Sequence, residues 1–174
     1  MLNFTYHNPV KVVFGKGTIA ELDRLIPQHQ NVMMLYGGGS IKRNGVYEQV
    51  MAALAGRTVL TFGGVEPNPL YETLMQAVAQ IKREAVDFLL AVGGGSVLDG
   101  AKFVAAAAHY EGKDPWEMVH NHDLVTSALP LGAVLTLPAT GSEMNSTAVI
   151  SRDSTQEKMA LKSPHVYPQF SILD

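Results

Sequence analysis

The chain has 174 residues, of which 47% are hydrophobic and 17% charged, with a net charge of −3. That balance excludes disorder, which needs low hydrophobicity and high net charge, and it leaves no basic footprint for nucleic acid. There is no cysteine, which excludes a disulfide framework, a thiolate metal site and cysteine catalysis. The length suits one domain, residues 1–174. No apolar run approaches the ~20 residues of a membrane span. The opening MLNFTYHNPVKVVFGKG lacks the charged-then-apolar order of a signal peptide. The expectation is a cytoplasmic chain with no membrane or nucleic-acid partner.

In chain order, Ile19, Leu22, Leu25 and Ile26 recur at helical spacing, and Pro27 ends the run. Val32-Met33-Met34-Leu35 is a short unbroken apolar run followed by Tyr36-Gly37-Gly38-Gly39-Ser40. Val46, Val50 and Leu54 form a second helical stripe before Gly56. Thr58 to Phe62 is another apolar run, closed by Gly63-Gly64. Leu70, Leu74, Ala77, Val78 and Ile81 form a third stripe. Phe88 to Val92 leads into Gly93-Gly94-Gly95-Ser96, and Val97, Leu98, Ala101, Val104, Ala105 and Ala108 form a fourth stripe. Runs without alternation suit strands buried on both faces of a parallel sheet. Their alternation with helices predicts an α/β fold: a doubly wound, Rossmann-like parallel sheet.

After Tyr110 the rhythm breaks. Residues 110–128 are expected to be a surface loop with a turn at Asp114-Pro115-Trp116. Ala133 to Leu137 is a further buried strand. Ala148-Val149-Ile150 and Met159-Ala160-Leu161 flank the polar stretch 151–158 as a C-terminal β-hairpin, and Phe170 to Leu173 is a last strand.

The glycine turns carry the chemistry. At Gly93–Ser96 a buried strand becomes a helix, so bare backbone and free N–H groups can face a phosphate, with Ser96 as N-cap and donor. Asp99, a turn further on, would repel a diphosphate and is expected to point aside, towards ribose hydroxyls. The alternative is a tight turn with Ser96 as a simple cap. At Gly37–Ser40, where a dinucleotide fold meets the adenosine ribose, an acid would repel a 2′-phosphate. No acid stands between Val32 and Val46; Ser40, Lys42 and Arg43 stand there instead. This favours NADP(H) over NAD(H), the alternative being a loop with solvated basic residues. Gly15-Lys16-Gly17-Thr18-Ile19-Ala20 meets only the relaxed G-x-G-x-x-A pattern and is taken as a strand-to-helix turn. Neither a P-loop nor a G-x-S-x-G elbow occurs.

Taken together, Gly93 to Lys102 resembles the GGGSxxDxxK signature of the iron-containing (group III) alcohol dehydrogenases. Thr136-Leu137-Pro138-Ala139-Thr140-Gly141-Ser142-Glu143 resembles their second nucleotide-contacting stretch, although alone it reads as an ordinary Pro-Gly turn. Glu66-Pro67-Asn68-Pro69 resembles the loop lining the nicotinamide side of their cleft, and Tyr36–Ser40 matches the NADPH-dependent aldehyde reductase and butanol dehydrogenase branch. The resemblance runs from Phe14 to Asp174.

It implies a dehydroquinate synthase-like N-terminal domain in which Gly94, Gly95 and Ser96 hold the pyrophosphate. Gly38, Gly39 and Ser40 would receive the 2′-phosphate, with Gly37 also at the cofactor and Asn68 on the nicotinamide side. Asp99, Thr136, Thr140, Thr147 and Lys158 would position the ribose and nicotinamide half. The family's helical second half carries a divalent metal, iron or zinc, on one Asp and three His, and the full-length form is expected to be a homodimer acting on a small alcohol or aldehyde. The close pair His120-Asn121-His122 lies in the polar loop after Trp116 and reads as a solvated loop rather than a chelate, so no metal ligand and no catalytic residue is assigned within 1–174. The expectation is a cofactor-binding part that is inert alone. Two alternatives stand beside it: the nucleotide-binding part of a dehydroquinate synthase-like lyase, and a non-enzymatic dinucleotide-binding module.

Overall fold

The computed structural model describes residues 3–174. Met1 and Leu2, which head the stretch judged not to be a signal peptide, lie outside the described residues. Six parallel strands form one sheet: β1 (Lys11–Phe14), β2 (Val32–Tyr36), β3 (Val59–Phe62), β4 (Phe88–Gly94), β5 (Leu131–Leu137) and, last in the chain, β8 (Phe170–Leu173). Their spatial order is β1-β8-β5-β4-β2-β3. Between β5 and β8, an antiparallel hairpin is built from β6 (Thr147–Arg152) and β7 (Glu157–Lys162). The α/β class, the parallel sheet and the C-terminal hairpin are as the sequence predicts.

Helices cover both faces. On one lie α4 (Tyr71–Glu84) and α5 (Gly95–His109); on the other lie α1 (Leu22–Leu25) and α3 (Val46–Ala53), with the single turn α2 (Ser40–Arg43) between. The sheet feeds both layers by alternation. Met33, Leu35, Leu89 and Ala91 pack with Leu74, Ala77, Leu98 and Ala101. Val32, Met34, Leu90 and Val92 pack with Leu22, Ile26, Val50 and Leu54. This is why the strands carry unbroken apolar runs, since each residue faces one core or the other. Each buried valine, leucine, isoleucine or methionine among them contributes roughly 1.5–3 kcal/mol by leaving water.

Four expectations are corrected. The run at 58–62 is not buried on both faces: β3 is an edge strand and half-exposed. Leu137, at the end of β5, is 66% exposed. Residues 110–128 are not a plain surface loop. The turn α6 (Glu117–His120) lies within them, and Trp116, Met118, Val119 and Val125 are buried against α5 and the hairpin. The first helical stripe is a 3-10 turn, Thr18–Glu21, followed by only one turn of α1. Edge strand β1 precedes it, beside β8.

The hairpin is fastened to this added wall. The Arg152 guanidinium lies 4.6 Å from the Tyr71 ring centroid and 5.6 Å from that of Trp116, and it pairs with Asp114 at 2.9 Å. The Tyr71 hydroxyl donates to Asp114 at 2.6 Å. At the far end of the chain, both carboxylate oxygens of Asp174 accept from the backbone N–H groups of Gly17 and Ile19, at 2.9 Å each.

Candidate functional site

β2 and β4 are neighbours, but their connections diverge: β2 leads outward to β3, while β4 leads to β5 on its other side. A crevice opens at the carboxyl ends of two such strands, which is where doubly wound folds hold ligands. Here it is a cavity of about 680 Å³, with Gly37–Ser40 beyond β2 on one side and Gly93–Ser96, where β4 runs into α5, on the other. Gly39 has φ of 89°, a left-handed conformation that a side chain would strain, and it starts α2 directly over the crevice.

The Gly93–Ser96 turn differs in detail from the expected cap. Gly94, with extended backbone, precedes the helix, and Gly95 is its first residue. Ser96 is therefore inside the first turn, and its Oγ accepts from the Asn68 N–H at 3.3 Å. A Cβ built on Gly95 would come within 3.2 Å of the Thr140 Oγ1, so a side chain here would crowd the floor against Thr140.

Twelve of the thirteen residues singled out from the sequence border the cavity. Thr136, near the end of β5, and Thr140, just beyond it, line the cavity, while Asn68 and Lys158 meet at its rim. Thr147 is the exception: it starts β6, and its carbonyl accepts from the Lys102 Nζ at 2.9 Å. Asp99 borders the cavity, but each carboxylate oxygen has a protein donor. Oδ1 accepts from the Ser142 hydroxyl at 2.5 Å and Oδ2 from the Val149 N–H at 3.0 Å.

Sequence reasoning gave no role to Lys102, which lies one turn beyond Asp99 and is wholly buried. Its ammonium donates to the Ser142 Oγ, the Asn145 Oδ1 and the Thr147 carbonyl, all at 2.9 Å. Burial pushes it down to about 8, against the opposing pull of Asp99 and Glu143. The available signal was position, since a lysine set among Leu98, Ala101 and Ala105 on an apolar helix face needs buried partners. Glu66 was quoted without a role as well. It borders the cavity, accepts from the Thr73 hydroxyl at 2.5 Å, and keeps its other oxygen buried and unpartnered.

Among the described residues, no group of three or more His, Asp or Glu side chains converges where a metal could be held. His120 instead lies 3.7 Å from Glu157, and the His122 Nε2 lies 2.9 Å from the Ala160 carbonyl. The donor set of the described residues does not fit a metal. It fits a phosphate-bearing ligand better, with bare glycine backbone, hydroxyls and a rim ammonium. Among the described residues, no helix is long and apolar enough to cross a membrane.

Fold and crevice together define a doubly wound α/β domain with a glycine-lined crevice at its switch point. Residues 9–174 match the family model described as iron-containing alcohol dehydrogenase, and the chain belongs to that family. It is 56% identical over 176 residues to an NADPH-dependent aldehyde reductase, YqhD, of Escherichia coli, covering all of this chain and 46% of that protein. It is 53% identical over 177 residues to a probable NADH-dependent butanol dehydrogenase of Bacillus subtilis, again with 100% and 46% covered. The crystal structure of E. coli YqhD superposes with a TM-score of 0.95 at 56% identity, over 99% of this chain and 45% of that one. The chain thus spans a little under half the length of the relatives it matches.

Proposed function

We propose that this chain binds NADP(H) in the crevice between β2 and β4, as the coenzyme part of a metal-dependent oxidoreductase acting on a small alcohol or aldehyde. One observation carries the reading: two glycine turns, from adjacent strands with diverging connections, open onto the same cavity. In this reading Gly94, Gly95 and Ser96 take the pyrophosphate, because α5 starts there and its N–H groups favour an anion. Gly37, Gly38, Gly39 and Ser40 take the 2′-phosphate. Thr136, Thr140 and Lys158 hold the ribose and nicotinamide half, with Asn68 at the rim. Asp99 acts from the side, since its remaining lone pairs can still accept from a ribose hydroxyl.

When bound, the nicotinamide supplies or takes up hydride, and the protein's part is binding and orientation. The preference for the 2′-phosphate rests on the chain itself. No carboxylate stands between Val32 and Val46, and Gly38 leaves open space where a larger side chain would intrude. The relatives are named for both coenzymes, so their names do not discriminate. The metal and any second copy belong to the proposal for the whole protein.

The test is calorimetric titration with NADP⁺ of the wild-type chain and of Gly95→Val. Saturable one-site binding that the substitution abolishes, with the fold intact by circular dichroism, supports the assignment. Binding unaffected by a side chain at position 95 overturns it.

A further inference from the structure

Lys102 is a long cation with no exposed surface, on a helix that otherwise buries alanine, leucine and phenylalanine. A buried ammonium is costly, and a methionine of similar shape would fill the same space. Its three donors go to Ser142, Asn145 and Thr147, all in the segment joining the cavity wall beyond β5 to the hairpin. None of the three acceptors is a carboxylate. The Ser142 oxygen accepts from Lys102, so its single proton is committed to Asp99. The Val149 N–H holds the other Asp99 oxygen. A pocket-bordering carboxylate close to the proposed pyrophosphate site is thus restrained and electrically offset by an ammonium behind it.

We propose that Lys102 is a positioning residue of the coenzyme pocket: through Ser142 it fixes Asp99 and the 142–147 segment, and its charge offsets Asp99 against a bound diphosphate. The inference rests on the dinucleotide reading above. Its consequence is proton linkage. An anionic ligand favours the charged lysine, so binding takes up a proton wherever Lys102 is partly neutral in the free chain. Affinity then falls as pH rises through the region near 8 where the buried ammonium titrates.

Asp99 on the same helix and Glu143 on the 142–144 turn are the charged groups that act on it. The other elements packed on α5 give it none. β4 and β5 contain no ionisable side chain. Tyr36 of β2 lies with Lys42 and Tyr47. Arg152 of β6 is paired with Asp114, and His165 on the 164–166 turn is exposed. On α4, Glu72 accepts from the 153–154 backbone, Arg83 pairs with Glu84, and Lys82 lines a separate cavity at the far end of α5.

The experiment is fluorescence titration of the chain with NADPH from about pH 7.5 to about pH 9.5, a window in which the 2′-phosphate, with its second pKa of about 6, is almost wholly ionised. In wild type, Kd should rise about threefold or more across it, as a pKa shift of half a unit or more on binding requires. Lys102→Met should bind more weakly and without pH dependence. Lys102→Arg, charged throughout, should retain binding, also without pH dependence, and it serves equally if the methionine variant does not fold. A flat wild-type profile, or a profile that both variants retain, overturns the inference while leaving the dinucleotide site standing. If wild type binds no NADPH at any pH, the dinucleotide reading falls and the inference with it.

Discussion

Asn68 and Lys158 meet across the rim of the glycine-lined cavity, the lysine ammonium donating to the asparagine Oδ1 at 2.7 Å. Asn68 holds a left-handed backbone (φ 59°), and its N–H reaches Ser96 at the head of α5. One residue therefore ties the hairpin cation to the turn that would hold the pyrophosphate.

Because this pair is solvent-exposed, breaking it should cost little stability, about 0–1 kcal/mol. Removing the cation should matter more to an anionic ligand. For Lys158→Ala we expect Kd for NADPH to rise about tenfold, the equivalent of ~1.4 kcal/mol, with the melting temperature lowered by no more than about 4 °C. Equal loss of stability and binding would mean that the lysine merely braces the hairpin.

Two glycines separate packing from function. A Cβ on Gly132 would lie 2.3 Å from the Phe170 ring, deep between β5 and β8 and away from the cavity. Gly132→Ala should therefore destabilise by about 1–3 kcal/mol, as overpacked cores do, leaving coenzyme affinity per folded molecule unchanged. Gly95→Ala meets only the Thr140 hydroxyl, at 3.2 Å, and should weaken binding with little change in melting. Denaturant melts beside coenzyme titrations check both.

Lys102 also sets a pH dependence of stability, opposite in sense to its effect on binding. Burial holds its folded pKa at about 8, below the ordinary lysine value of 10.5. Between those values the unfolded chain binds more protons than the folded one, so this group's contribution to stability rises with pH across that window. Urea unfolding at several pH values should show that rise in wild type and lose it in Lys102→Met. A wild-type stability that falls through the window, with the variant falling in parallel, would contradict the burial argument.

With no metal-capable cluster among its described residues, the 174-residue chain should bind NADPH without oxidising it in the presence of a small aldehyde and iron or zinc. Spectrophotometric assay at high protein concentration checks this, and metal-dependent turnover would refute it.

The glycine turns and the buried strands were legible because unbroken apolar runs bounded them, and a residue facing one of two cores has no polar alternation to show. Strand order was not legible, since nothing local in β1 or β8 announces that they end up side by side. The buried segment around Trp116 was hidden for a related reason: its apolar residues follow no period, and the hairpin that covers them comes later in the chain. Ser96 misled because a serine after glycines looks like a cap, whereas the helix starts one residue earlier. Lys102 escaped because a helical lysine ordinarily faces water, and its partners, Ser142, Asn145 and Thr147, lie more than 39 residues away.

The central claim is that the β2–β4 crevice holds a dinucleotide carrying a 2′-phosphate. Thermal melting of the chain with NADPH, NADP⁺, NADH and NAD⁺ side by side tests it directly, because ligand-linked stabilisation follows RT ln(1 + [L]/Kd). Larger upward shifts for NADPH and NADP⁺ than for their counterparts at equal concentration are the expected result. Greater stabilisation by NADH than by NADPH would contradict the assignment of Gly37–Ser40 to a 2′-phosphate, and no shift with any of the four would contradict the site itself.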